Sequence, residues 1–176
     1  MGVSVMTTIN RRAVATRLAS FLITLTVSLA GSFVHSIYVT RQAEFISAAW
    51  GGRTYVMRVM YALGVNVNES NCQYRTCVIP LVAATWGGNN DAIEFLVDRG
   101  ADVNKSGKFD RTPLMIAAFA GRDDTVRLLL SKGANVNKTS RDGKTALSLA
   151  RERGNLETAE LLLNAGAIEL HASDSQ

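Results

Sequence analysis

A chain of 176 residues with 47% hydrophobic and 19% charged side chains suits one folded domain plus a short extension. Its formal charge of +4 would suit a polyanion, but Arg11, Arg12 and Arg17 supply most of that excess and no acid precedes Glu44. From residue 31 onward 16 basic residues stand against 15 acidic ones, so a broad phosphate-binding face, and with it a nucleic-acid partner, is not expected.

The three arginines are followed directly by an apolar run, Phe21 to Ala30, and no residue from Leu18 to Thr40 carries a full formal charge. Ser28-Leu29-Ala30, with Gly31-Ser32 behind it, offers small side chains where a signal peptidase needs them. That order is a secretory signal over 1–30. The stretch 18–39 is also long enough for an uncleaved membrane anchor, which needs about 20 residues. His35 and the many Ser and Thr make it a poor span, so cleavage is the preferred reading. In both cases the basic flank stays cytoplasmic and the rest is exported to the cell envelope, a bacterial periplasm being the expectation. A transit peptide would be amphipathic, residues 13–17 fit a twin-arginine signal poorly, and no cysteine follows the run to carry a lipid. Residues 31–41 are a linker or an N-terminal cap.

Beyond the leader one segment recurs. Gly64, Gly100, Gly133 and Gly166 are separated by 36, 33 and 33 residues, and Gly52, Gly88, Gly121 and Gly154 repeat those offsets. Between them lie an Ala-rich stretch, Gly, an apolar run and Gly-Ala-Asp/Asn-Val-Asn. A fixed period of this length predicts an all-α solenoid of stacked helix-turn-helix units. The units fall at 42–76, 77–111, 112–144 and 145–170, with a polar tail at 171–176. The first is degraded (Phe45-Ile46-Ser47-Ala48-Ala49, Gly64-Val65-Asn66-Val67-Asn68) and is expected to fray before the others. Its closing loop is three residues longer and holds Cys72 and Cys77, the only two cysteines, beside Tyr74 and Arg75. In an oxidising compartment the pair could close a small staple; otherwise they are two free thiols. Without a nearby histidine they supply only half a zinc ligand set, so no metal is expected.

The third unit is the clearest. Thr112-Pro113 opens a helix, with Thr capping free amides and Pro at the first helical position. Leu114, Ala117 and Ala118 share one apolar face, the alanines small because the next unit's helix approaches closely. Gly121 ends the helix, and Asp123 and Asp124 favour the start of a second, which carries Val126, Leu128, Leu129 and Leu130. Gly133 terminates that helix with φ > 0, and Asn135 and Asn137 mimic turn hydrogen bonds as the chain bends away. Asp142-Gly143 forms the tip of the following projecting loop.

Thr112-Pro113-Leu114-Met115-Ile116-Ala117-Ala118, with Gly133-Ala134-Asn135-Val136-Asn137, resembles an ankyrin repeat. Ile79-Pro80-Leu81-Val82-Ala83-Ala84 and Thr145-Ala146-Leu147-Ser148-Leu149-Ala150 repeat the likeness, which covers about 42–170. The resemblance implies an ankyrin solenoid with projecting β-hairpin-like loops that binds protein partners. The family's usual His after Pro-Leu is Ile46, Val82, Met115 and Ser148 here, so its hydrogen bond to the turn is expected to be missing. Arg151, Glu152 and Arg153 give the last unit a polar outer face, as a terminal repeat needs.

The resemblance also places partner-binding residues. Exposed first-helix positions hold Trp50, Trp86 and Phe119, which at repeat spacing form an aromatic ladder along the concave face. Loop tips hold Lys108, Phe109 and Arg111, then Arg141, Asp142 and Lys144. The bland readings are that the aromatics fill space between units and that the tip charges are merely solvated. Phe109 resists it, because an exposed Phe in a loop serves no packing purpose. The only histidines, His35 and His171, fall in the leader and tail, and no nucleophile-base pair, phosphate loop or ligand set appears. The chain is therefore read as a non-catalytic, monomeric binder of an unidentified protein, without a cofactor and touching membrane only through its leader. An inhibitor or immunity-type protein blocking one enzyme, or a membrane-tethered scaffold, would use the same surface.

Overall fold

The computed structural model describes residues 40–73 and 76–168, with side chains described except over 71–77. The leader and tail expectations, with residues 31–39 of the linker and Tyr74 and Arg75, lie outside those residues; Thr40 and Arg41, expected in the linker, belong to the first helix. The chain divides into two units, 1–40 and 41–176. Only the second is described below.

Helices come in pairs, as the period predicts. α1 covers 40–50 and α2 Thr54–Ala62; then come α3 (Pro80–Gly87), α4 (Asn90–Asp98), α5 (Pro113–Ala120), α6 (Asp123–Ser131), α7 (Ala146–Glu152) and α8 (Leu156–Asn164). Within a pair, α3 packs on α4, α5 on α6 and α7 on α8. Between pairs, α3, α5 and α7 form one layer and α4, α6 and α8 the other, with α2 beginning the second. The lengthened loop forms a two-stranded antiparallel hairpin, β1 (Asn71–Gln73) and β2 (Thr76–Val78). Its register sets Cys72 opposite Cys77; whether the two are joined rests on side chains outside the described ones.

The caps follow the local chemistry. Thr112 Oγ1 accepts the Met115 N–H at 3.2 Å, Pro113 occupies the first turn, and Gly121 ends α5 at φ 65°. Leu114, Ala117 and Ala118 are buried, as are Val126 and Leu129 on α6, while Leu128 and Leu130 are partly covered. Met115 and Val82 fill the core at two of the positions where the family's His is absent. The fourth departs from the expectation of a lost bond. Ser148 Oγ accepts the Thr145 N–H at 2.9 Å while Thr145 Oγ1 accepts the Ser148 N–H at 3.2 Å, a reciprocal cap made by a short hydroxyl.

Two rows of hydrogen bonds tie each unit to the next. In the first, Nδ2 of Asn68, Asn104 and Asn137 donates to the carbonyls of Gly100, Gly133 and Gly166 at 2.7, 3.2 and 3.0 Å. Their Oδ1 atoms accept the N–H groups of Asp102, Asn135 and Ile168 at 2.9, 2.7 and 2.8 Å. In the second, Nδ2 of Asn89, Nη2 of Arg122 and Nδ2 of Asn155 donate to carbonyls at the end of the preceding unit's first helix, those of Trp50, Trp86 and Ala118. The earlier Asn or Asp of each motif does the local work, with Asn66, Asp102 and Asn135 accepting the N–H two residues on.

The last unit is polar where the sequence expects it and apolar elsewhere. Arg151, Glu152 and Arg153 are exposed, but Glu152 pairs with Lys144 and Arg153 lies over Phe119 of the preceding unit. Leu156, Leu163 and Ile168 are exposed beside them, so the outer face of the last pair is partly apolar. At the other end α2 keeps only Met57 fully buried while Tyr55, Val59 and Leu63 are exposed.

Asn104→Ala removes both bonds of a bridge and is expected to cost about 1–3 kcal/mol, at roughly 0.5–1.5 per bond, in urea unfolding. Asn135→Ala, losing one local turn bond, should cost about half as much or less. Equal losses would show that the bridge adds nothing beyond the turn. Amide exchange should open α2 before α4, α6 or α8, since it buries least.

Candidate functional site

Trp50, Trp86 and Phe119 each stand two residues before the glycine that ends a first helix, at φ 66°, 71° and 65°. Only glycine fits there without strain, and at Gly88 space is lacking too: an added Cβ would lie 1.3 Å from Arg122 Nη1. The same guanidinium ties the helix end to the next unit through its bond to the Trp86 carbonyl.

The three rings are in register but not in equivalent settings. Trp50 is 62% and Trp86 45% exposed, and together with Ala43, Ile46, Val78 and Ala83 they line an apolar groove of about 550 Å³ between α1 and α3. Phe119 is half-buried against the core, with the guanidinium carbons of Arg111 and Arg153 at 5.8 and 4.5 Å from its ring centre. The residue just before each helix-ending glycine accounts for the difference. Beyond Trp50 the next unit presents Gly87, beyond Trp86 it presents Ala120, and beyond Phe119 it presents Arg153. A missing or minimal side chain leaves the tryptophans open, whereas a long one covers the Phe. The ladder is thus two open rings and one covered ring. The ring-on-ring contact found among the described residues is Tyr61 against Phe95 in the other layer, with Arg99 over both.

The loop tips are joined to each other rather than simply solvated. Arg111 pairs with Asp142 at 3.7 Å and Arg141 with Asp110 at 3.3 Å, so each tip contributes one base and one acid. The Arg141 N–H also donates to the Phe109 carbonyl at 3.1 Å. Such exposed pairs are worth about 1 kcal/mol or less each. Phe109 and Asp110 sit at φ 61° and 56°, in the left-handed region that costs a non-glycine residue roughly 1–3 kcal/mol. Phe109 is 52% exposed with the Lys108 ammonium 4.8 Å from its centre. Phe109, Arg111, Arg141 and Asp142 line a second recess of about 270 Å³. Lys144 bonds Glu152 at 2.5 Å.

Asp142 has its pKa held below the ordinary carboxylate range. The hydroxyl of Ser140, 2.6 Å from Oδ1, is the main cause, followed by the backbone of Asp142 itself; desolvation opposes them, and the lesser attractions of Arg111 and Lys144 work against it. Ser140 also accepts the Lys144 N–H at 3.2 Å, which closes the tight turn expected at Asp142-Gly143. Sequence reasoning missed Ser140, Arg122 and the reach of Arg153 to Phe119. Ser140 acts within its own loop, whereas Arg122 and Arg153 act on the preceding unit, and for those two the signal available was their fixed offset from the helix-ending glycines.

Among the described residues no group of three or more His, Cys, Asp or Glu side chains converges as a metal site, and no helix is long and apolar enough to cross a membrane. The family model described as ankyrin repeats (3 copies) matches residues 81–174. A search of the curated proteins finds no match.

Replacing Ser140 with Ala should raise the Asp142 pKa toward the ordinary value, read from its carboxyl carbon shift in an NMR titration. Because the folded pKa is depressed, the tip's gain in stability is complete above the unfolded carboxylate pKa. It is lost as pH falls through the folded value. An unchanged titration in the Ala variant would assign the shift to the arginine and lysine instead.

Proposed function

The chain belongs to the ankyrin-repeat family, whose repeats are binding modules, and from that premise we propose that its inner face holds a protein partner in the groove between Trp50 and Trp86. The observation that carries this reading is the exposure of two large indoles that together line one apolar groove. On α3, Pro80 through Thr85 are buried and only Trp86 is exposed. Large aromatic side chains in a recess, with arginines nearby, are the composition of interface hot spots. Phe109 and the cross-tied tips flank the same side as a second contact, their left-handed backbone held by Arg141.

The role is non-catalytic and the protein acts as a monomer in the cell envelope, free after cleavage near Gly31 or tethered through 18–39. The arginine-led apolar leader supports export. A disulfide between Cys72 and Cys77 follows from the same compartment, and their opposed positions in the hairpin support it.

Trp50→Ala with Trp86→Ala should weaken a co-purifying partner at least tenfold while thermal unfolding stays near the parent value, since exposed side chains contribute little to the core. Unchanged affinity would remove the groove; a collapsed melt would make the rings part of the packing. Intact mass of protein from fractionated producing cells tests the rest. A chain beginning near Gly31 and two hydrogens light supports cleavage and the disulfide. A full-length chain in membranes supports the tether, and a full-length chain in the soluble cytoplasm defeats export.

A further inference from the structure

We propose that the inner face is a two-part surface for an acidic protein segment, one that seats an apolar side chain between Trp50 and Trp86 and lays carboxylates along Lys108, Arg111, Arg141 and Arg153. This rests on the groove reading above and adds the chemistry of the partner.

Charge in the repeat region is balanced in total but unevenly placed. Within α4, α6 and α8 stand Asp91, Glu94, Asp98, Asp123, Asp124, Glu157 and Glu160 against Arg127 alone. Arg58 on α2 and Arg53, Arg99, Arg122 and Lys132 at the helix ends offset most of this, and Arg127 pairs with Glu157 and Lys132 with Asp98. The first helices of the middle units, α3 and α5, carry no charge at all. On the inner side the charge comes from the loops before α5 and α7 and from the end of α7. There Lys108, Arg111, Arg141, Lys144, Arg151 and Arg153 outnumber Asp110, Asp142 and Glu152.

Pairing sharpens the imbalance. All three inner acids are engaged, with Arg141, Arg111 and Lys144 respectively. Lys108 and Arg153 make no ion pair among the described residues and rest on the faces of Phe109 and Phe119. An aromatic face orients a cation without neutralising it, so both stay available to a carboxylate. The outer layer, where acids and bases nearly balance, offers the same partner no such excess of cations. The stack also has a direction: the apolar groove belongs to the first two units, and the cationic edge runs from Lys108 and Arg111 at the close of the second unit through Arg141 in the third to Arg153 in the fourth. An extended segment would therefore place its apolar anchor at one end and its acids one to two helix spacings away, at about 10 Å each. A nucleic acid would meet the cationic edge equally well but has no use for the paired indoles.

The test is a random-peptide display selection on the whole protein as recovered from its producing cell. Selected peptides should join a large apolar residue to clustered Asp or Glu. Synthetic copies should bind about tenfold or more weakly to Lys108→Glu and to Arg153→Glu, and the parent's affinity should fall with added salt. Lys108 sits on an exposed tip, so its variant stands even if Arg153→Glu disturbs Phe119. Apolar peptides without acidic enrichment, lost in the Trp50/Trp86 variant but indifferent to Lys108→Glu and salt, would overturn the acidic partner and leave the groove. No selected peptide, or binding indifferent to both tryptophans, would overturn the groove and this proposal with it. Binding of a single-stranded RNA as tight as that of the best peptide and insensitive to the tryptophan changes would overturn it in favour of phosphate.

Discussion

The stack depends on one side chain repeated at 68, 104 and 137. Each is an asparagine that donates to a glycine carbonyl of the next unit and accepts the N–H two residues beyond it. Both halves of an amide are needed, and no other side chain of that length offers a donor and an acceptor in one plane. The residue two places earlier only accepts a local N–H, and there the chain uses Asn66, Asp102 and Asn135 interchangeably. The motif Asp/Asn-Val-Asn is thus chemistry rather than drift. A carboxylate is tolerated where acceptance suffices and absent where donation is required. Since each unit of a solenoid touches only its neighbours, these bridges act with the second row from Asn89, Arg122 and Asn155 and with the apolar seam to couple the units.

With the units held in fixed register, small changes at one position decide what the inner face offers. Gly87, Ala120 and Arg153 occupy corresponding places, and their side chains grow along the chain. Gly87 is held small for a second reason, because an added Cβ would meet the Trp50 carbonyl at 2.1 Å. Close approach of the second unit to the first therefore leaves Trp50 uncovered. The exposure of the indoles is a consequence of tight backbone packing beneath them, and the cover over Phe119 reflects room for an arginine at the stack's end.

Much of this was legible in the sequence. The period, the glycines with φ > 0, the Thr112 cap and the buried Leu, Ala and Val positions follow from local rules that require no partner. What was not legible involves a neighbour. The asparagines read correctly as turn formers, yet at 68, 104 and 137 their partners lie 29 to 34 residues away. Ser148 read as a lost bond because the expected residue was absent, although a hydroxyl placed three residues after Thr145 makes a reciprocal cap. Charge misled in a different way. Summed over the region it nearly vanishes, and only the assignment of each residue to a layer shows the inner excess of bases. Phe109 was singled out by its loop position, but the two consecutive left-handed residues that present it have no sequence signature when neither is glycine or asparagine.

Part of the charge division has a purely structural cause. Asp91, Asp123, Asp124 and Glu157 lie in the first turns of α4, α6 and α8, where a carboxylate meets the positive end of the helix dipole. Helices of only nine residues gain from such help, being too short to be stable alone. Folding therefore accounts for more than half of the acids on the outer layer. It does not account for Lys108, which neutralises no acid among the described residues and rests on the Phe109 ring. Arg153 follows α7 at its C-terminal end, yet its guanidinium turns onto Phe119 rather than onto the last carbonyls. Arg153 is thus held in place by the ring it covers, whereas Lys108, on an exposed tip of a face richer in bases than acids, is the cation for which the fold supplies no reason.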